Sequence, residues 1–349
     1  MTLKRRTFLT LPAALASSSL MPGSLRAALA AQTPDTPDLS HWDSVRAQFA
    51  LDPAYRHFAS FFIASHPAPV RDALEGYRRA LDANPFVFVE RSMFEDDAHN
   101  LPMQVRAEAA SYLGGKPEEV CLTGSTTEGL SLVYLGLPLK AGDEVLTTLH
   151  DHYSHHEAIR FATQRTGVSA RRIALFRDPA QASVDEIVGN LRAATRPETK
   201  VVGVTWVHSS TGIRLPIRAI SAMLQSLPQP PLLVVDGVHG LGSVDETIST
   251  LGADYFCAGT HKWISRRAAR VWCGRGRTTG RGCDRWCPTS PRPKATSPGP
   301  KTANRRAPTT PRAWNRAAST QSSTSGRWPR PSPCISGWAG PASAHASRL

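Results

Sequence analysis

The sequence predicts an α/β fold, a mostly parallel sheet with helices flanking it. Three observations carry this expectation. From about Val120 short apolar runs alternate with amphipathic stretches. The gaps between runs suit strand–helix–strand crossovers, which cover both faces of a parallel sheet. Residues that carry chemistry gather where the apolar runs end, the edge at which such sheets bind ligands.

Taken in order, the runs predict strands over 119–123, 144–148, 172–176, 201–207, 232–235 and 254–258. Helical periodicity lies between them, over 127–135, 156–166, 184–194 and 217–227. Ser125 and Thr126 before the first helix, and Pro216 before the last, are residues that start helices. Cys121 and Cys257 each sit inside an apolar run and read as small buried hydrophobes, so no disulfide framework is expected.

Composition divides the chain. Its 349 residues carry a formal net charge of +13, which taken alone suggests a nucleic-acid or membrane-surface protein. The charge is not spread evenly. Residues 265–349 hold 17 Lys and Arg against one acid, Asp284, and 11 of the 28 Pro. Residues 1–264 hold 24 bases against 27 acids and are slightly acidic. A stretch so poor in aliphatic side chains cannot bury enough surface to offset its ordering entropy, so 265–349 is expected to be disordered. Its cysteines, Cys273, Cys283, Cys287 and Cys334, match no zinc spacing.

The other end has the parts of an export signal over residues 1–30. Arg5-Arg6 precede Phe8-Leu9, an Ala/Leu-rich stretch follows, and Ala28-Leu29-Ala30 offers a cleavage site. The paired arginines resemble the twin-arginine class, which predicts a periplasmic or extracellular protein. That route carries folded proteins, often with a cofactor inside. Pro12 and Pro22 interrupt the apolar run, so no stable membrane association is expected.

Four strand ends carry the candidate chemistry. Thr-Gly-Ser-Thr-Thr-Glu-Gly at 123–129 is a small, hydroxyl-rich turn that opens a helix, where free N–H groups favour an anion. His-Asp-His-Tyr-Ser-His-His at 150–156 could bind zinc or offer an aromatic face to a planar ring. Asp236 ends a buried run, and a carboxylate there must meet a cation or donors. Lys262 follows another, beside His261; desolvation would lower its pKa and make its amine nucleophilic. Pyridoxal 5'-phosphate needs all four features: an anion site, a stacking ring, a carboxylate for its ring nitrogen and an amine for its aldehyde.

These segments, with Ser-Ser-Thr-Gly (209–212), Val-Asp-Gly-Val-His-Gly (235–240) and Gly-Thr-His-Lys-Trp (259–263), resemble the class V aminotransferase family. That family comprises fold-type-I pyridoxal-phosphate enzymes and includes cysteine desulfurases and isopenicillin N epimerase-like proteins. The resemblance implies a cofactor-binding domain over 31–264. It also implies Lys262 as the Schiff-base lysine and catalytic base, and Asp236 as partner of the ring nitrogen. Thr126, Thr127 and His261 would hold the phosphate. His156 would stack on the ring, with Tyr153 as the substitute. His239 stands where the family often has Gln, near the phenolic oxygen, and Ser209 where it often has Asn. An amino acid substrate and a homodimer are implied, with transamination, epimerisation and elimination all open.

The resemblance stops after Trp263, and the family's small C-terminal domain is missing or scrambled. Shifted by one base, codons for Ile-Ser-Arg-Arg-Ala-Ala-Arg-Val-Trp-Cys-Gly-Arg can spell Phe-Ala-Pro-Arg-Gly-Thr-Gly-Val-Val-Trp-Ala, close to the family's continuation. The reading is a frameshift near codon 264, which leaves Lys262 beyond the last strand with nothing pairing past it. The alternatives are a basic tail that binds nucleic acid, with Trp286, Trp314, Trp328 and Trp338 free to stack, and an inactive pseudogene product.

Overall fold

The computed structural model describes residues 38–96, 99–265 and 271–275. The export signal expected over 1–30, and the basic stretch apart from Ser265 and residues 271–275, lie outside the described residues. Among the described residues no helix is long and apolar enough to cross a membrane.

Four helices come first: α1 (Trp42–Ala47), α2 (Ala68–Ala83), α3 (Pro85–Met93) and α4 (Leu101–Leu113). The sequence reading left all four unassigned, although their starts carry ordinary signals. Asn84 and Asn100 accept N–H bonds from Val87 and Met103, and α2, α3 and α4 each have proline in the first turn. The alternating body follows as α5 (Thr126–Gly136), β1 (Glu144–Thr148), α6 (Tyr153–Thr166), β2 (Ser169–Ile173), α7 (Val184–Ala194), β3 (Thr199–Thr205), α8 (Ile217–Gln225), β4 (Leu232–Asp236), β5 (Tyr255–Gly259) and β6 (Val271–Arg275).

The strands form one sheet in the order β2-β1-β3-β4-β5-β6. The first five run parallel, and β6 joins antiparallel. Alternation along the strands sends side chains to two cores. Leu146, Val202, Val204, Val235 and Phe256 meet α7 and α8 through Ile187, Leu191, Ile220 and Leu224. Val145, Val201, Val234 and Cys257 face α5 and α6 through Leu130, Val133, Tyr134 and Ile159. Strands buried on both faces explain why their runs read as continuously apolar.

Three expectations need correction. Residues 119–123 form no strand: a 3-10 turn at Pro117–Glu119 leads into extended backbone at Val120. Val120 is fully buried, so core packing rather than strand pairing accounts for the apolar run. The strand expected over 172–176 lies three residues earlier as β2, and Leu175 and Phe176 are buried beyond its end. Finally, β5 is not the last strand. Its backbone pairs with β6 from Tyr255↔Arg275 to Gly259↔Val271.

The α5/α6 face has one close approach that fixes a residue type. A Cβ at Gly203 on β3 would land on Tyr134 Oη and 2.9 Å from His155 Nε2. Those two groups are buried and bonded to each other at 2.7 Å. Gly203→Ala is expected to cost about 1–3 kcal/mol through overpacking, read as a lower urea midpoint; an unchanged midpoint would show that α5 can move aside.

Candidate active site

A cavity of about 210 Å³ opens at the C-terminal ends of β3, β4 and β5, against the first turns of α5 and α6. Parallel pairing brings these ends together. Thr205 pairs with Asp236 across β3 and β4, and Asp236 with Cys257 across β4 and β5.

One wall is the start of α5. The Ser125 hydroxyl caps it by accepting the Glu128 N–H at 3.1 Å, and the Glu128 carboxylate accepts the Gly124 N–H at 2.5 Å. Helix geometry gives the N–H groups of Thr126 and Thr127 no carbonyl within the helix. Thr126 Oγ1 is buried without a hydrogen-bond partner. Gly259, at the end of β5, lets this corner close. A Cβ there would lie 2.6 Å from the His261 ring and 3.0 Å from Thr126 Oγ1. An orphaned hydroxyl, free helix N–H groups and an imidazole make a cradle for an anion such as phosphate.

Opposite it Asp236 is buried, and its carboxylate accepts the Val238 N–H at 3.0 Å. Burial pushes its pKa up to about 7, Asp151 adds to the rise, and the Val238 N–H and Lys262 oppose it. Such a group satisfies a basic ring nitrogen by sharing a proton with it. Lys262 Nζ lies 3.0 Å from His239 Nε2. Burial lowers the Lys262 pKa while Asp236 raises it, so the amine loses its proton more readily than a solvated lysine.

Of the residues chosen from sequence, Thr126, Thr127, Ser209, Asp236, His239, His261 and Lys262 all line this cavity. His156 does not. Its Nε2 bonds the Thr148 carbonyl at 2.8 Å, one helical turn away from the rim. Tyr153 is largely exposed. Of the histidines in 150–156, His150 and His152 line the cavity, and the His152 side chain caps α6 by accepting the Ser154 N–H. The helix begins at Tyr153, three residues before the expected start, so His152 precedes it and His156 lies inside it.

His150 stacks on Phe176 with centroids 4.2 Å apart while also lining the cavity, and His155 is buried against Tyr134. Among the described residues no group of three or more His, Cys, Asp or Glu could hold a metal ion.

Comparison with known proteins agrees with this arrangement. The family model for aminotransferase class-V matches residues 63–267. Isopenicillin N epimerase of Amycolatopsis lactamdurans is 29% identical over 227 residues, 64% of this chain and 54% of the relative. A probable cysteine desulfurase of Vibrio cholerae is 25% identical over 250 residues, 67% of this chain and 58% of the relative. The chain thus spans little more than half the length of these curated relatives. The solved cysteine desulfurase of Thermococcus onnurineus superposes with a TM-score of 0.56 at 21% identity, covering 67% of this chain and 57% of that one. At that identity the likeness is one of fold.

The raised Asp236 pKa has a consequence for stability without cofactor. The unfolded carboxyl titrates near 3.8 and the folded one near 7. Between those values the folded state holds a proton that the unfolded state has lost, so this group's contribution to stability falls as pH rises. Asp236→Asn removes that loss. The cofactor-free variant should gain on the wild type in urea midpoint from about pH 4 to about pH 7, then keep a constant lead. A gap independent of pH would overturn this account. His208 and His239, depressed to about 4 mainly by burial, act in the opposite direction and are common to both proteins.

Proposed function

Since the chain belongs to the aminotransferase class-V family, we propose that it is a pyridoxal-phosphate-dependent enzyme acting on an amino acid, with Lys262 as the amine that holds the cofactor covalently. One observation carries this reading: a lysine of lowered pKa and a buried carboxylate face one cavity whose rim is an anion cradle. The residues fit the group at each of its polar ends. Thr126, Thr127 and His261 suit a phosphate, Asp236 a protonated ring nitrogen, and Lys262 an aldehyde carbon.

When bound, pyridoxal phosphate supplies an electron-withdrawing ring that eases departure of the proton from a substrate's α-carbon. The chain supplies the rest. Asp236 would hold a proton at the ring nitrogen, and His152, His239 and Ser209, which line the same cavity, would hold the ring. Lys262 Nζ, once released from its covalent duty, takes the α-proton. Whether that proton returns to the same carbon, to its other face or elsewhere distinguishes transamination, epimerisation and elimination.

Residues 31–264 serve as the cofactor-binding domain in this reading. The segment expected to close the substrate pocket and bind a substrate carboxylate belongs beyond 264. The proposal includes assembly as a homodimer and export in the folded state through the Arg5-Arg6 signal. Replacing Arg5-Arg6 by Lys-Lys should leave the protein unprocessed in the cytoplasm, as cell fractionation would register; unchanged export would remove the twin-arginine part of the proposal.

Mixing the purified chain with pyridoxal phosphate should produce a visible absorption band, and borohydride should then fix the added mass on Lys262. Lys262→Ala should lose both signals while keeping its melting transition. His152→Ala should weaken binding up to about tenfold, the scale of one ring contact. His156→Ala should leave affinity within about twofold, since a loss of that size falls below one such contact. A band that survives in Lys262→Ala would sink the assignment.

A further inference from the structure

His239 and Lys262 come from different loops. His239 lies three residues past the end of β4 and Lys262 three past the end of β5, and the register Asp236↔Cys257 brings the loops side by side. Their side chains meet at 3.0 Å, Nζ to Nε2. An ammonium has no lone pair, so in the charged form it donates and Nε2 accepts, which leaves the imidazole proton on Nδ1.

The groups facing this pair are Asp236 on β4, His152 at the start of α6 and His261 beside Lys262. All three imidazoles are held below the usual histidine range, first by burial and next by the Lys262 charge. Burial is the first reason these histidines stay neutral, and the Lys262 charge adds to it. His152 Nδ1 is engaged with Ser154 Oγ at 2.8 Å, whereas His239 bonds the amine directly.

We propose that His239 and Lys262 hold one proton between them, and that the imidazole takes the charge when the amine becomes covalently occupied. The step breaks an Nζ–H bond and forms an Nε2–H bond. The co-reactant is the aldehyde: the two hydrogens left on Nζ depart with its oxygen as water when the C=N bond forms, and hydrolysis with the reverse proton transfer restores the ammonium when the amine is freed. His239 is thus a proton-holding residue at this site, a part that the glutamine often found at this position in the family could not play. The covalent occupant is the one named under the proposed function, on which this inference rests.

Two group titrations sharing one proton are coupled, so neutralising one partner must raise the affinity of the other. The test is a histidine Cε1–H NMR titration of the full chain, stripped of bound aldehyde with hydroxylamine. The H239Q variant assigns the resonance. K262M removes the charge at similar length, and K262R keeps the charge. In the wild type and in K262R, His239 should stay unprotonated down to about pH 4. In K262M its midpoint should rise by about two pH units or more, into the range where the imidazole carries the charge near neutral pH; a smaller rise would overturn the shared proton. K262Q provides a second neutral variant should K262M fail to fold.

A His239 midpoint unmoved in the neutral variants, or raised equally in K262R, would overturn the shared proton. No aldehyde enters this titration. A missing cofactor band would therefore remove the proposed function and leave the pair standing, and an unmoved midpoint would remove the pair alone.

Discussion

A carboxylate buried at the end of a parallel sheet must be met by a proton, a cation or donors, and Asp236 imposes that condition on the whole cavity. The Val238 N–H answers part of it, and Lys262 answers part through its charge. Burial of the acid and partial burial of the amine are two results of one packing decision, the parallel pairing of β4 and β5. That pairing delivers two short loops to the same point. Burial shifts both titrations, and the charge of each group partly offsets the shift of the other, so removing either would leave its partner further from ordinary behaviour.

The sequence made the sheet legible because strands covered on both faces read as unbroken apolar runs, as at Val201–Val204 and Leu232–Val235. The same signal misled where burial occurs without pairing. Val120 and Leu175 are core residues outside any ladder, and periodicity alone cannot tell a buried loop from a buried strand. Of the N-terminal helices, α1 has no buried residue and α2 and α3 bury only Gly76, Ala80 and Ser92, so none presents a run of large core residues.

The residues expected near strand ends do line one cavity, since a strand end is a sharp boundary. Asp236 ends β4, while His239, His261 and Lys262 stand a few residues past β4 or β5. His152 rather than His156 lines the cavity, because a helix start is a soft boundary in the seven-residue run 150–156. His152 has the extended backbone of a cap and stays at the rim. His156 has already turned with the helix, and its ring folds back on the Thr148 carbonyl. An error of three residues in the start of α6 is nearly one helical turn, enough to exchange one imidazole for another.

The antiparallel β6 has a meaning apart from catalysis. All five residues of β5 are buried, so without a neighbour this strand would present a long apolar edge with open main-chain donors and acceptors. Edges of that kind recruit strands from other molecules and seed aggregation. The β5–β6 ladder is made by backbone atoms, so it makes few demands on which side chains residues 271–275 carry. A short stretch of main chain is thus enough to cover the apolar edge of β5. Colloidal behaviour and chemical competence rest on different segments of this chain, and selection can act on them separately.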